Sequence, residues 1–74
     1  MKWLSVWRKH KGLTQTQLSN KSGIDANMIS HYEREVAIPS LETIQRLALG
    51  LEISIEELLN GPNEGKIKIT LVYD

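Results

Sequence analysis

The sequence predicts an all-α fold, a five-helix domain in residues 1–61, followed by a linker and a short β-strand in residues 62–74. Three observations lead to this prediction. Apolar residues recur at helical spacing through the first part of the chain, capping signals precede most of these repeats, and the period changes to two near the end. A chain of 74 residues forms one small domain with a modest core, which a partner chain would help to stabilise.

The first three helices are predicted from their apolar spacing and end signals. The first shows an apolar set on one face, the second begins with a capping box, and the third begins at an aspartate that suits an N-cap. A glycine follows each of the first two, and the second glycine supplies a left-handed turn. The positions are residues 2–10 with Trp3, Leu4, Trp7 and Gly12; residues 15–22 with Thr14, Gln17 and Gly23; and residues 25–33 with Asp25.

Two more helices are predicted after Pro39, which marks a boundary. Ser40 is the N-cap of the fourth helix, and Gly50 closes it. Ser54, with a glutamate three residues later, begins the fifth, which ends at Asn60 and Gly61. The residues predicted to face inward are Leu41, Ile44, Leu47, Ala48 and Leu51 in the fourth helix and Ile55, Leu58 and Leu59 in the fifth.

The composition argues against several classes of function. The chain has no cysteine, and neither His10 nor His31 has a second ligand at helical spacing, so no metal site is predicted. No spacing suggests a catalytic triad, and no glycine-rich phosphate loop is present, so we expect neither an enzyme nor a cofactor. The sequence contains no secretory signal and no apolar run of the roughly 20 residues that span a membrane, which favours a cytoplasmic protein. We also expect no second domain for a small ligand.

The charge is unevenly distributed along the chain, although the net charge is zero. Residues 1–34 carry six basic side chains against two acidic ones, a net charge of +4, and residues 35–74 carry three against seven, a net charge of −4. One half is therefore suited to face a polyanion, although simple scatter of charges along the sequence is the alternative interpretation.

The third helix is predicted to expose a small, polar and basic face. Ile29 and Tyr32 point inward, and the opposite face holds Ala26, Asn27, Ser30, His31 and Arg34. A helix in the DNA major groove needs short residues for close approach, an amide that pairs with adenine, and cations near phosphates. Gln15 and the dipole of the preceding helix suit a phosphate. The alternative for Asn27 and His31 is that they are ordinary solvated polar residues. Asp25 is expected to be a helix cap, and the alternative is that its carboxylate contacts a base.

Several motifs occur together at fixed spacing over residues 4–61: "GLTQ", Leu18, Gly23, "IS" at Ile29 and Ser30, Glu33, "PSLETI", "RLA" and "ISIEELL". This series closely resembles the Cro and phage-repressor helix-turn-helix family, the XRE-type or lambda-repressor-like family. The resemblance implies a five-helix domain that binds double-stranded DNA as a dimer, with a motif over about residues 14–33 whose second helix enters the major groove. By resemblance, the DNA-binding positions are Gln15, Thr16, Ala26, Asn27, Ser30, His31 and Arg34, and Arg8 and Glu33 form a structural ion pair.

The loop after the third helix departs from the family pattern. Glu35 stands where the family usually has glycine, so it must either avoid the left-handed conformation or bear its energetic cost. The following residues read "VAI", where the family is often basic, which weakens the expected contact with the DNA backbone.

The final segment, "KIKITLVYD", predicts a strand with no partner earlier in the chain. Ile67, Ile69, Leu71 and Tyr73 alternate with residues of the other face. We expect two copies to pair antiparallel in a homodimer, with this apolar face on the fourth and fifth helices, although a frayed end is the alternative. Together with the family resemblance, this predicts a dimeric repressor of a pseudo-palindromic operator. Activation is an alternative, because activators and repressors differ in where the operator sits. The alternative function is an antitoxin or accessory module that captures a protein through this strand, with secondary DNA binding.

Overall fold

The computed structural model describes residues 1–61, and these form five α-helices with no strand among them. The predicted linker and strand, residues 62–74, lie outside the described residues. None of the helices within residues 1–61 is long and apolar enough to cross a membrane. In chain order the helices are α1 (Leu4–His10), α2 (Gln15–Ser22), α3 (Ala26–Glu33), α4 (Leu41–Leu51) and α5 (Ile55–Asn60).

The helix starts follow the capping signals in the sequence. Thr14 and Ser54 each form both bonds of a capping box, at α2 and α5. Asp25 Oδ1 accepts a hydrogen bond of 2.9 Å from the backbone N–H of Asn27, so its carboxylate caps α3. Ser40 caps α4 in the same way, accepting from the Thr43 N–H. These local signals confirm the predicted starts of four helices, whereas α1 begins at Leu4, two residues later than predicted.

The core lies where all five helices meet. The α2 helix packs most extensively against α4 and then against α3, and the Trp7 indole Nε1 donates a 2.9 Å hydrogen bond to the Glu57 carbonyl, which ties α1 to α5. Burying apolar side chains in this way is the main favourable term for so small a domain. The buried apolar residues are Leu4, Trp7, Leu18, Ile29, Tyr32, Leu47, Ala48, Leu51 and Leu58.

Two of the residues predicted to face inward are exposed. Leu41 retains 64% and Leu59 51% of its accessible surface, so the inward assignment of both was wrong. Each lies at the edge of the apolar stripe of its helix and near a helix end, where no other described element covers it. The centre of the stripe, at Leu47, Leu51 and Leu58, is buried as predicted.

Gly50 does not close the fourth helix, contrary to the prediction. It lies inside α4, which ends at Leu51 and is capped by Glu52 in the left-handed conformation. Gly50 is buried where α4 crosses α2, and a Cβ atom there would lie 3.1 Å from Ser22 Cβ and 3.2 Å from Leu18 Cδ1. The glycine is therefore required for a close approach of two helices, and not for its backbone freedom.

Candidate nucleic-acid interface

The α2 and α3 helices are joined by a tight turn of three residues. Gly23 has φ 76° and ψ 13°, the left-handed conformation that ends α2 without steric cost. The buried Ser22 hydroxyl accepts a hydrogen bond of 3.2 Å from the Ile24 N–H, and Asp25 then starts α3. The turn is thus determined by a glycine and two short side chains, which hold the two helices at a defined angle.

The outer face of α3 offers polar side chains to solvent. Asn27 and Arg34 are exposed, and Ala26, Ser30 and His31 are half-buried. The side chains of Asn27, His31 and Arg34 make no hydrogen bond or ion pair with any other residue among those described. Ile29 and Tyr32 of the same helix are buried in the core, as predicted. The helix therefore keeps one face for packing and leaves the donors and acceptors of the other available to a ligand.

A network centred on Glu33 connects three helices. Arg8 of α1 donates from Nε to Glu33 Oε2 at 2.6 Å and from its terminal nitrogen to Oε1 at 3.1 Å. The Gln15 side-chain nitrogen also donates to Oε1, at 3.0 Å, and Arg8 donates to the Leu13 carbonyl at 2.8 Å. The Arg8 and Glu33 side chains are only 11% and 8% exposed, so these bonds are largely removed from water. The pair therefore holds the end of α3 against α1 and the start of α2.

Gln15 is more constrained than the sequence suggested. It is half-buried, and one of its amide N–H groups is engaged by Glu33. The amide keeps a second N–H for another acceptor. The capping box of α2 satisfies the Gln17 N–H, which leaves the backbone N–H groups of Gln15 and Thr16 without an intrahelical partner. The start of α2 is consequently a place where several donors converge, and its contact with phosphate stays a prediction.

The positive charge of residues 1–34 is only partly available at this face. Arg8 is neutralised by Glu33. Lys21 Nζ lies 3.9 Å from Glu52 Oε2, and Lys21 lines a cavity of about 110 Å³ together with Lys11 and Glu52, beside the C-terminal end of α4. Arg34, the cation at the end of α3, is followed directly by Glu35. The charge asymmetry along the sequence thus overstates the field in front of α3.

Glu35 adopts the left-handed conformation, with φ 61°, and so bears the backbone cost of this conformation for a residue other than glycine. The Val36 N–H donates to the His31 carbonyl at 3.0 Å, which closes the end of α3 as a Schellman motif. The same arrangement closes α4, where Glu52 also has φ 61° and the Ile53 N–H donates to Ala48. The sequence left two options open for Glu35 and did not predict Glu52.

This geometry defines a class of fold: two short helices joined by a tight left-handed turn, the second with an exposed polar face, within a five-helix core. The chain matches the family described as Helix-turn-helix over residues 4–58. It belongs to that family, in the Cro and phage-repressor type that the motifs resemble.

Three relatives illustrate the range of proteins to which the chain is similar. It is 37% identical over 55 residues to the cryptic phage CTXphi transcriptional repressor RstR of Vibrio cholerae, covering 74% of this chain and 49% of the relative. It is 33% identical over 59 residues to antitoxin HigA1 of Mycobacterium tuberculosis, with coverages of 80% and 40%. It is 30% identical over 62 residues to the HTH-type transcriptional regulator SinR of Bacillus licheniformis, with coverages of 82% and 56%.

The chain spans about half the length of these curated relatives. No solved structure gives a significant match.

Proposed function

We propose that this chain is a sequence-specific double-stranded DNA-binding transcriptional regulator that reads its operator with α3 in the major groove. The observation that carries the proposal is the outer face of α3, whose side chains Asn27, His31 and Arg34 have no partner among the described residues. Membership of the helix-turn-helix family and the similarity to a repressor and a regulator support it.

The α3 face has the chemistry of direct base readout. Ala26, at the start of the helix, is small enough for the backbone to approach base edges, and the Asn27 amide matches the N6 and N7 atoms of adenine. Ser30 and His31, one turn later, offer further polar atoms to the groove. Arg34 follows the last residue of the helix, where a cation suits the phosphate backbone.

The start of α2 suits the phosphate backbone beside the groove. The free backbone N–H groups of Gln15 and Thr16 and the second amide N–H of Gln15 supply donors to one phosphate. Glu33 orients the Gln15 amide, and Arg8 holds Glu33. Arg8 therefore acts as a positioning residue within the protein and does not contact DNA.

The proposed regulator is a homodimer that represses by covering a promoter. Residues 66–74 of two copies pair antiparallel through their backbones, with the face of Ile67, Ile69, Leu71 and Tyr73 on α4 and α5. This pairing places two α3 helices one turn of DNA apart, about 34 Å. A two-fold protein then requires a pseudo-palindromic operator.

Selection of bound sequences from random DNA tests the proposal directly. We expect a two-fold symmetric consensus with half-site centres separated by about 10 base pairs. Asn27→Ala is expected to lose the preference at one position of each half-site and to cost about 1–3 kcal/mol there. Arg34→Ala is expected to weaken binding to all sequences and to reduce the slope of log affinity against log salt by about one.

Lys21→Ala is the matched control for Arg34→Ala, because Lys21 lies beside Glu52 at the end of α4. It removes the same charge and should leave both the consensus and the salt slope nearly unchanged. If Asn27→Ala and Arg34→Ala also leave them unchanged, α3 is not the recognition helix.

A second candidate function is an antitoxin or accessory module that binds another protein. The similarity to antitoxin HigA1 favours it, as does the loop after α3, where Val36 is 65% and Ile38 95% exposed. A selection that returns no consensus, together with a stable hetero-complex of the full chain, would favour this candidate over the first.

A further inference from the structure

Large apolar side chains are exposed along α4, α5 and the preceding loop. Ile38 is 95% exposed, Leu49 76% and Leu59 51%. Isolated exposed apolar residues are ordinary, but a contiguous patch marks a surface that binds something. We use the term α4–α5 seam for the surface formed by Ile38, Ile44, Ala48, Leu49, Ile55 and Leu59.

Two grooves follow one another along this seam. The first has a volume of about 470 Å³ and is lined by Ile38, Ile44 and Leu59 with Met1, Ala37, Pro39 and the charged Glu35. The second has a volume of about 390 Å³ and is lined by Ala48, Leu49 and Ile55 with Ile53 and the polar Gln45 and Ser54. Ile44 and Leu59 line the first groove. Ala48, four positions after Ile44, and Ile55, four positions before Leu59, line the second. The grooves therefore form one strip along antiparallel helices, and α4 with 11 residues makes it about 16 Å long.

We propose that the α4–α5 seam is the docking site for residues 67–73 of the same chain, with Ile67, Ile69, Leu71 and Tyr73 filling the two grooves. The inference rests on the extended segment, residues 66–74, that the proposed function uses for dimerisation, and it names the surface on which this segment lies. It does not require dimerisation, because it concerns contacts within one chain.

The position of Gly61 supports the reach of this segment. Gly61 is buried against the Trp3 ring, two residues after Leu59, which lines the first groove. Residues 62–66 can span up to about 17 Å, and their sequence, "PNEGK", is rich in turn-forming residues that reverse a chain. A chain reversed after Gly61 runs back along α5, first past Leu59 and then past Ile55.

The spacing and charge of the segment fit the seam. Seven extended residues span about 20 Å, close to the length of the strip, and alternate side chains repeat about every 6.6 Å. Positions four apart on a helix repeat about every 6 Å, so successive apolar side chains match successive positions on the seam. The α4 and α5 helices carry three glutamates and one arginine, whereas the segment brings Lys66 and Lys68 on its other face.

Disulfide trapping in the full chain tests the proposal, because the natural sequence has no cysteine. Leu49→Cys is combined in turn with a cysteine at residue 69, 70, 71 or 72. Leu49 is 76% exposed, so its replacement leaves the core intact. We expect oxidation to form an intrachain disulfide at least about tenfold faster for Ile69→Cys or Leu71→Cys than for Thr70→Cys or Val72→Cys.

Peptide mapping under non-reducing conditions distinguishes the possible occupants. Equal rates for odd and even positions overturn the proposal. So does a disulfide between chains, which would place the segment of a second copy on the seam.

A parallel comparison uses Leu71→Lys and Val72→Lys, which add the same charge on opposite faces. The first should lower Tm by several degrees and the second should not, and equal shifts count against docking.

Sedimentation of the same variants separates this inference from the proposed dimer. A monomer that forms the intrachain disulfide supports docking and contradicts the dimerisation arm. A dimer in which the odd and even cysteine positions form the disulfide at equal rates contradicts docking. It remains consistent with residues 66–74 as the segment that dimerises.

Discussion

The α2–α3 pair and the α4–α5 pair differ in what they leave exposed. Among the described residues, no large hydrophobic side chain is exposed in α2 or α3, whereas those exposed elsewhere, Val36, Ile38, Leu41, Leu49 and Leu59, all lie at or after residue 36. The first pair therefore presents hydrogen-bonding groups suited to a hydrated, charged ligand, and the second presents apolar surface suited to a chain segment or a protein. One small domain thus carries two surfaces of different chemistry.

The two pairs also differ in how they use charged residues. In the α2–α3 pair, Glu33 is almost buried and accepts from Arg8 and Gln15. In α4, Glu42 accepts from Arg46 at 2.9 Å, but those side chains are 71% and 51% exposed. An ion pair withdrawn from water is costly to break, and an exposed one contributes little.

The largest expected effect comes from Glu33→Ala. It leaves the Arg8 guanidinium nearly buried without its carboxylate, and the Gln15 amide loses its acceptor. We expect the free energy of unfolding to fall by about 3 kcal/mol, measured by urea denaturation. The matched change in α4, Glu42→Ala, should cost only about 0.2–1 kcal/mol.

The double variant Arg8→Ala with Glu33→Ala tests the cause. If the loss comes from an uncompensated charge, removing both groups should cost less than the sum of the single changes. Equal losses for Glu33→Ala and Glu42→Ala would show that burial of the pair has no energetic consequence.

The next effect tests the contact between the two pairs. Gly50→Ala adds a Cβ that meets Ser22 Cβ at 3.1 Å and Leu18 Cδ1 at 3.2 Å. Helix propensity alone predicts stabilisation by about 1 kcal/mol, but overpacking costs about 1–3 kcal/mol. We expect a net loss of about 1 kcal/mol, measured by thermal unfolding, and a gain would mean that α4 can move away from α2 without cost.

The part of the fold that the sequence predicted well depends on local signals. The capping boxes at Thr14 and Ser54 and the cap at Asp25 join residues two or three positions apart, so they are readable from a short window. The polar face of α3 was readable because Ile29 and Tyr32 have helical spacing. Whether that face binds DNA stays a prediction.

The part that could not be predicted depends on contacts between distant residues. Gly50 carries the signal of a helix end, and only its approach to Ser22, 28 positions earlier in the sequence, shows why it is a glycine. Leu41 and Leu59 are apolar at helical spacing, but nothing in the described residues covers them. The bond from Gln15 to Glu33 joins residues 18 positions apart and has no local signal, and the Arg8–Glu33 pair was expected only from the family resemblance.

The smallest effect concerns the two left-handed glutamates, one just after α3 and one between α4 and α5. Glu35 and Glu52 both have φ 61° at the end of a helix, where glycine adopts this conformation without steric cost. Glu35→Gly and Glu52→Gly should each raise the free energy of unfolding by about 0.5–1 kcal/mol, because relief of strain exceeds the added flexibility of the unfolded chain. Urea denaturation of both variants measures the gain, and a loss in either would mean that the glutamate side chain stabilises the fold.

DNA affinity should distinguish these two variants although their stabilities do not. Glu35 follows Arg34 at the end of α3, and its carboxylate repels phosphates near the proposed groove, whereas Glu52 lies beside Lys21 at the end of α4. We expect Glu35→Gly to raise affinity for every sequence roughly threefold at low salt, with the difference shrinking as salt rises, and Glu52→Gly to change it little. Equal affinities for both variants would place Glu35 away from the DNA. The retention of a strained glutamate beside α3 would then need an explanation other than control of affinity.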